Sequence, residues 1–394
     1  MDICECVKRI KKELDSVVSF WTAHSHDKVN GGYYNCLTED GKVYDSLKYG
    51  WLQGRQVWMY SKLYNTLSHY HTPEILGAAK TGGEFLLKHV LSSGGSRCYF
   101  ILTEEGKPCK LQRKPYTECF FVIGLAELSR ATGEERYWLA AESMLASLIH
   151  WIRFDDSELG APNLPGCDPC SELGRPMMLL NVLTEICNGQ SELRDKYKEH
   201  FQWAVEAILK HSDGNWVREH VAPNGSLLSG CRGRQVTPGH ALEAGWFLLQ
   251  EAATRGDTAL QSKAIKQFIE APYAYGQDKE FGGLYYFLDT DGYCPTQLEW
   301  SMKLWWVHCE AMIAFLMAYE ATGDKQFWTT FSKITDYTLS KFSDQTHGEW
   351  YGYLTRTGEI NQTFKGGPYK GCFHVPRCLL YCLQILERLD KNTD

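Results

Sequence analysis

Five short segments of this chain share one pattern, and their spacing constrains the fold more than any other feature. Each is an aromatic or β-branched run, then a polar or acidic residue with glycine, then a return: YYNCLTEDGKVY, YFILTEEGKPCK, VREHVAPNGSLL, LYYFLDTDGYCP and YGYLTRTGEIN. Such runs predict β-hairpins with a glycine in the turn. The turn glycines are Gly41, Gly106, Gly225, Gly292 and Gly358. They recur at intervals of about sixty-five residues, with one interval of about twice that, as a repeat array would. A Pro/Gly loop around Gly160 to Gly166 fills the wide interval and makes six units.

Between the hairpins the apolar residues follow a helical period. Helices are predicted at 2–20, 50–69, 72–91, 116–131, 134–151, 175–187, 191–210, 238–255, 258–271, 303–321, 325–341 and 376–389. That is two per unit. Thr132-Gly133 and Thr322-Gly323 stand at equivalent helix ends, where glycine is the usual stop. The expectation is an all-α fold: an (α/α)6 barrel, one domain spanning 1–394, with short β-hairpins in the loops at one mouth. Inner helices bury most of their surface, whereas outer ones are amphipathic. The last helix is apolar nearly all round, as an inner helix covered by the first unit would be. The leucines of 173–193 fit an inner helix of this fold better than a zipper.

Charge and targeting exclude several classes. The chain carries 41 basic and 48 acidic side chains, a net −7, which disfavours a nucleic-acid or anionic-membrane partner. No apolar stretch approaches the roughly 20 residues that span a bilayer. The start, Met1-Asp2-Ile3-Cys4-Glu5-Cys6, lacks the basic and apolar regions of a signal peptide, so the expected compartment is the cytosol. In that compartment the 15 cysteines are expected as small core residues. Cys4/Cys6 and Cys167/Cys170 lack a second, well-spaced pair, so no metal site is expected.

Two histidines stand at predicted helix starts: Thr237-Pro238-Gly239-His240 and Gly371-Cys372-Phe373-His374-Val375-Pro376. The positive end of a helix dipole disfavours a cation, so both imidazoles are expected neutral and able to accept a proton. Arg55 lies between Trp51 and Trp58, about one turn to either side, a fixed cation suited to a developing oxyanion. Glu243 shares a helix face with His240 and is expected to hold its tautomer or a substrate hydroxyl. In Lys303-Leu304-Trp305-Trp306-Val307-His308-Cys309-Glu310, Trp305 is expected to line the cleft. Glu310 is a core carboxylate in need of a partner, with Lys303 and Arg55 the nearest choices. The segment 365–374 is Gly-rich and basic but does not fit a phosphate-binding loop.

The motifs WLQGRQVW, TPGHALEAGWFLL, KLWWVHCEAM and KGGPYKGCFHVPRCL resemble the N-acylglucosamine 2-epimerase (renin-binding protein) family, from about Val43 to the C-terminal helix. The wider superfamily includes cellobiose 2-epimerases and aldose–ketose isomerases on the same barrel. The resemblance implies interconversion of N-acetylglucosamine and N-acetylmannosamine, linked to sialic acid metabolism. It implies His240 and His374 as the acid/base pair, with Arg55 and Glu310 required for activity. It also implies sugar contacts at Glu243, Trp305 and Tyr369, with Asn181 and Tyr116 as weaker matches, while Trp51, beside Arg55, is expected from its aromatic face as a platform for the sugar ring. Some sugar epimerases have a histidine four residues after the asparagine; here that position is Glu185, and the role is not carried over. No cofactor is implied for the chemistry. ATP or another nucleotide is implied as an allosteric activator, a homodimer as the assembly, and renin as a partner.

Inversion of C2 by proton transfer needs two bases on opposite sides of the ring-opened sugar. Three rival readings stand beside it. An isomerase or epimerase of unsubstituted sugars would share the barrel. An inverting glycosidase would use two of Glu243, Glu299 and Glu310, about 6.5–9.5 Å apart. A non-catalytic binding protein would need a large apolar patch.

Overall fold

The computed structural model describes residues 2–161 and 166–391, so part of the loop expected around Gly160 to Gly166 lies outside the described residues. The chain forms a ring of helical hairpins. The outer helices are α1 (Ile3–His24), α3 (Pro73–Phe85), α5 (Glu135–Arg153), α7 (Lys198–Leu209), α9 (Thr258–Lys263) and α11 (Lys325–Lys341). The inner helices are α2 (Gly50–Thr66), α4 (Tyr116–Thr132), α6 (Gly174–Cys187), α8 (Pro238–Arg255), α10 (Trp305–Thr322) and α12 (His374–Lys391). Each inner helix packs on the next, and α12 returns to touch α2, which closes the ring.

Helix boundaries shift where local chemistry decides them. Asp2 caps α1, its carboxylate accepting from Glu5 N at 2.7 Å. The predicted helix 72–91 loosens after Phe85 into a wider π-type turn, Leu86–Val90. A short helix Ser191–Lys196 precedes α7, and α9 runs on through Ala264–Glu270 and Ala271–Gly276. Lys303–Leu304 is strand rather than helix, and α12 starts at His374, two residues earlier than expected.

Burial separates the two rings. In α1 the buried residues Cys6, Ile10, Leu14, Val17 and Trp21 form one stripe. In α10 every residue from Trp305 to Leu316 is buried. The first two inner helices meet at facing glycines. A Cβ on Gly54 would lie 2.5 Å from Phe120 O, and one on Gly124 would lie 2.7 Å from Gly54 O. Only residues without a side chain let these backbones approach so closely.

The hairpins gather at the mouth where the inner helices begin. Gly41, Gly106, Gly225, Gly292 and Gly358 all have φ between 79° and 89°, the region their turns require. Short strands join neighbouring units: Lys48–Tyr49 pairs with Tyr99–Leu102, and Lys303–Leu304 pairs with Tyr353–Leu354. The last unit is tied to the first by Lys365 N donating to Leu37 O and Leu37 N to Gly366 O. Three buried ion pairs, Lys48–Asp27, Lys303–Asp278 and Lys365–Asp344, brace equivalent loops. No described helix is long and apolar enough to cross a membrane. All fifteen cysteines are free thiols.

Candidate active site

His374 is the first residue of α12 and His240 the third of α8, so both lie at the N-terminal ends of inner helices. Both rings pack on one indole. The Trp306 ring centre is 4.9 Å from that of His240 and 5.9 Å from that of His374. His374 is buried, whereas the His240 side chain is 35% exposed, so the cleft opens on the His240 side.

Each imidazole is held through Nδ1 by a carboxylate. His374 Nδ1 lies 2.8 Å from Glu310 Oε1, and His240 Nδ1 lies 2.9 Å from Glu219 Oε1. A carboxylate accepts, so each Nδ1 carries the proton and each Nε2 is left for chemistry. Glu310 is completely buried and takes two more donors: Trp246 Nε1 at 2.8 Å and Arg377 Nη2 at 2.6 Å. The same Arg377 Nη2 donates to Glu243 Oε1 at 2.8 Å.

Two of these partners correct the expectations. Glu243 does not hold His240; it turns to Arg377, while Glu219, from the fourth unit's hairpin, takes the histidine. Glu310 pairs with Arg377 and His374, because Lys303 is fully committed to Asp278. Arg377 is three residues after His374, on the same helix face, so that spacing was available in the sequence. Glu219 had no local signal, being 21 positions before His240 and on another element.

The two histidines, expected to behave alike, are shifted in opposite directions. Burial pushes His374 well below the usual histidine value, and the charges of Arg55 and Arg377 act in the same direction. Burial opposes charge on His240 too, but the charge and hydrogen bond of Glu219 outweigh it, and Glu243 and Glu310 add to the effect. His240 is therefore raised. At His240 the Glu219 carboxylate overrides the diffuse helix dipole, whereas at His374 the carboxylate of Glu310 is shared with Arg377, and burial and the two cations prevail.

Arg55 lies over the rings of Trp51, Phe120 and Phe373, at 4.5, 4.2 and 4.8 Å. Trp58 is not part of this cage; its Nε1 donates to Glu185 at 3.0 Å. Arg55 is 8% exposed, and among the described residues no carboxylate pairs with it. Burial and the nearby Arg377 charge push it down to about 9. A desolvated cation without a paired anion, near His374, is ready for an oxygen that becomes negative.

The remaining predicted residues spread around the mouth. Trp51 is half-buried, its Nε1 without a partner, and Tyr369 stands edge-on to it at 6.1 Å, largely exposed. Trp305 is buried against Tyr353 at 5.1 Å, and it is the neighbouring Trp306 that touches both histidines. Tyr116 is the first residue of α4. Burial raises its hydroxyl above the ordinary tyrosine value, and Glu172, Cys119 and Glu219 add to that. Asn181 is buried on α6, one turn before Glu185. Glu185 accepts from Trp58, Lys62 and Tyr381, a bracing role.

Glu243, Glu310 and His374 bring ligand-capable atoms within 4.8 Å of one another, but Arg377 already occupies both carboxylates. The same fact weighs against an inverting glycosidase. The two carboxylates are closer than a water-admitting pair, neither is free, and Glu299 is exposed. The Gly-rich segment offers no phosphate clamp. Lys365 and Lys370 are fully buried, bonded to Asp344 and Glu349 at 2.8 and 2.9 Å.

Comparison with known proteins gives a consistent picture. A family model described as N-acylglucosamine 2-epimerase (GlcNAc 2-epimerase) matches residues 32–378. The N-acylglucosamine 2-epimerase of Bos taurus is 50% identical over 384 residues, covering 97% of this chain and 91% of its own. A cellobiose 2-epimerase of Ruminococcus albus is 25% identical over 413 residues, 97% of this chain and 98% of its own. The solved cellobiose 2-epimerase of Spirochaeta thermophila has the same fold, with a TM-score of 0.83, 20% identity and 98% of each chain covered.

Proposed function

We propose a mechanism from one premise: the chain belongs to the N-acylglucosamine 2-epimerase family and is a carbohydrate epimerase. Its reaction is the interconversion of N-acetylglucosamine and N-acetylmannosamine at C2 of the ring-opened sugar. The observation that carries the mechanism is the pair of imidazoles on one indole, each tied at Nδ1 and, among the described residues, with no hydrogen-bond partner at Nε2.

The sugar binds against the aromatic rim of Trp51 and Tyr369, with Tyr116, Asn181 and Trp305 around it. Transfer of the anomeric hydroxyl proton to the ring oxygen opens the ring. The C1 aldehyde then acidifies the hydrogen on C2. One imidazole takes that proton through Nε2, and the electron pair of the C2–H bond moves into C1=C2 while O1 becomes negative. Arg55, which has no anion of its own, stabilises that oxygen. The intermediate is planar at C2, so a proton from the other imidazole, on the opposite face, inverts the centre. Nitrogen on C2 makes return to C2 the productive outcome. Glu310, locked by Arg377, keeps His374 in place.

The test is a panel of hexoses with and without the N-acetyl group, run in heavy water. Epimerisation of the N-acetyl sugars with deuterium at C2 is expected. Preference for the unsubstituted sugars, or product without label, overturns the reading. His374→Asn is expected to abolish turnover while sugar binding persists, because a positioned acid or base supplies roughly 10²–10⁴ in rate.

The reading extends to the properties the family resemblance implies: a cytosolic homodimer in sialic acid metabolism, without a cofactor for the chemistry and with a nucleotide such as ATP as activator. Because the lysines of the Gly-rich segment are buried in ion pairs, a nucleotide must bind elsewhere. Sedimentation and turnover with and without ATP test those points, and co-precipitation tests renin as a partner.

A further inference from the structure

We propose that Glu219 is a positioning residue for the epimerisation: its carboxylate fixes Nδ1–H of His240 so that Nε2–H faces the cleft as the proton donor to C2. The proposal rests on the two-histidine reading above and assigns the histidines different tasks within it.

The geometry is specific. Glu219 Oε1 is 2.9 Å from His240 Nδ1, and the glutamate side chain is only 13% exposed. Among the described residues His240 is the one ion-pair partner of Glu219. Its backbone is anchored on both sides, with Leu173 N donating to Glu219 O at 2.9 Å and Glu219 N to Gln235 O at 3.1 Å. Neighbouring hairpin segments therefore hold the carboxylate, while the imidazole comes from α8. Catalytic groups fixed this way need no reorganisation at the moment of reaction.

The charges around each ring agree with separate tasks. His240 faces Glu219 from the hairpin, Glu243 from α8 and Glu310 from α10, three carboxylates that favour its cation, and His374 from α12 opposes it. Around Glu219 itself lie His220, Tyr116, Tyr275 and Tyr286. Beside His374 stand two cations, Arg55 from α2 and Arg377 from α12, set against the carboxylates of Glu310 and Glu243, and burial adds to the effect of the cations. In the proposed cycle His240 starts with a proton on both nitrogens and His374 starts with Nε2 unprotonated. His374 takes the C2 proton, and His240 gives its Nε2 proton to the other face. His374 is left cationic and His240 neutral, and exchange with solvent restores the start. The reverse reaction runs from the proton-shifted form. Orienting carboxylates behind catalytic histidines are a general device.

The experiment is Glu219→Gln, which keeps size and an acceptor oxygen but removes the charge, with Glu219→Asp as the charge-retaining control. Histidine-labelled protein is titrated by NMR, and kcat and KM are measured against pH. Glu219→Gln is expected to move the His240 titration to lower pH and leave that of His374 in place. The basic limb of kcat, where the His240 cation is lost, moves to lower pH with it. At neutral pH kcat falls about tenfold, less than the roughly 10²–10⁴ that loss of the acid itself would cost, while KM changes little. Glu219→Asp keeps the limb near its original position. An unshifted His240, or an unshifted limb with normal kcat, overturns the role of Glu219. The NMR titration needs no turnover, so it is separate from the failure of the reaction itself, which would show as no epimerisation by the unaltered protein.

Discussion

Arg377→Met removes the cation that two buried carboxylates share. Glu243 and Glu310 both accept from the same Nη2, at 2.8 and 2.6 Å, and all three side chains are buried. Taking one partner from a buried pair typically destabilises by about 3–5 kcal/mol, because the charge left behind has neither water nor counterion. With an unfolding entropy of about 2.1 cal/mol/K per residue, a chain of 394 residues should lose about 4–6 °C in Tm. The deficit carries a sign in pH. Without Arg377 one of the two carboxyls must hold a proton for both to stay buried, and protons become easier to hold as pH falls. The difference from the unaltered protein is therefore largest near pH 8 and shrinks towards pH 5. The Arg377 charge is also one of the causes that lower His374, so its removal moves the acidic limb of kcat to higher pH. Calorimetry at both pH values and a kcat–pH profile read these effects. A variant as stable as the original at pH 8, or a deficit that grows on acidification, refutes the reasoning.

Other expectations follow from the same structure. Arg55→Met should lower kcat by about 10²–10³, the value of an oxyanion donor, yet leave Tm unchanged or higher, because Arg55 has no anion to lose; a large fall in Tm would show a bracing role instead. Burial opposes ionisation of Asp27, but the Lys48 hydrogen bond and backbone donors pull it down to about 2. Its stabilisation is therefore complete above about pH 3.9 and lost as pH falls towards 2, and acid unfolding followed by circular dichroism should show that window. Lys48→Met leaves the buried Asp27 without its cation and should cost about 3–5 kcal/mol by chemical denaturation. Gly54→Ala places a methyl 2.5 Å from Phe120 O and should destabilise by about 1–3 kcal/mol, with the same readout.

The ring was legible because its determinants are local. A turn that needs positive φ shows as glycine in the sequence, and Gly41, Gly106, Gly225, Gly292 and Gly358 marked the hairpins before any contact was known. Helical period gave the helices, and two helices between successive turns gave the hairpin count. Their ends were less legible: pairing with a neighbouring unit holds Lys303 as strand, and α12 begins two residues early, at His374.

The site was legible in its members and not in their pairings. His240, His374, Arg55 and Glu310 stood out by residue type and helix position. Which carboxylate each histidine would meet was a question of tertiary geometry. Glu243, three residues from His240, looked like its partner, yet Arg377 from α12 draws it away and Glu219 arrives from a hairpin. Trp58 looked like a wall of the Arg55 cage, yet Phe120 and Phe373 supply it from α4 and the segment before α12.

The sequence by itself determined the periodic architecture and the chemical types at the mouth, because backbone preference and helical period act within a few residues. Only the closed ring decided the protonation asymmetry of the two imidazoles. That asymmetry depends on charges that belong to four different inner helices and one hairpin and meet only in space, and together with burial they outweigh any preference written along a single helix.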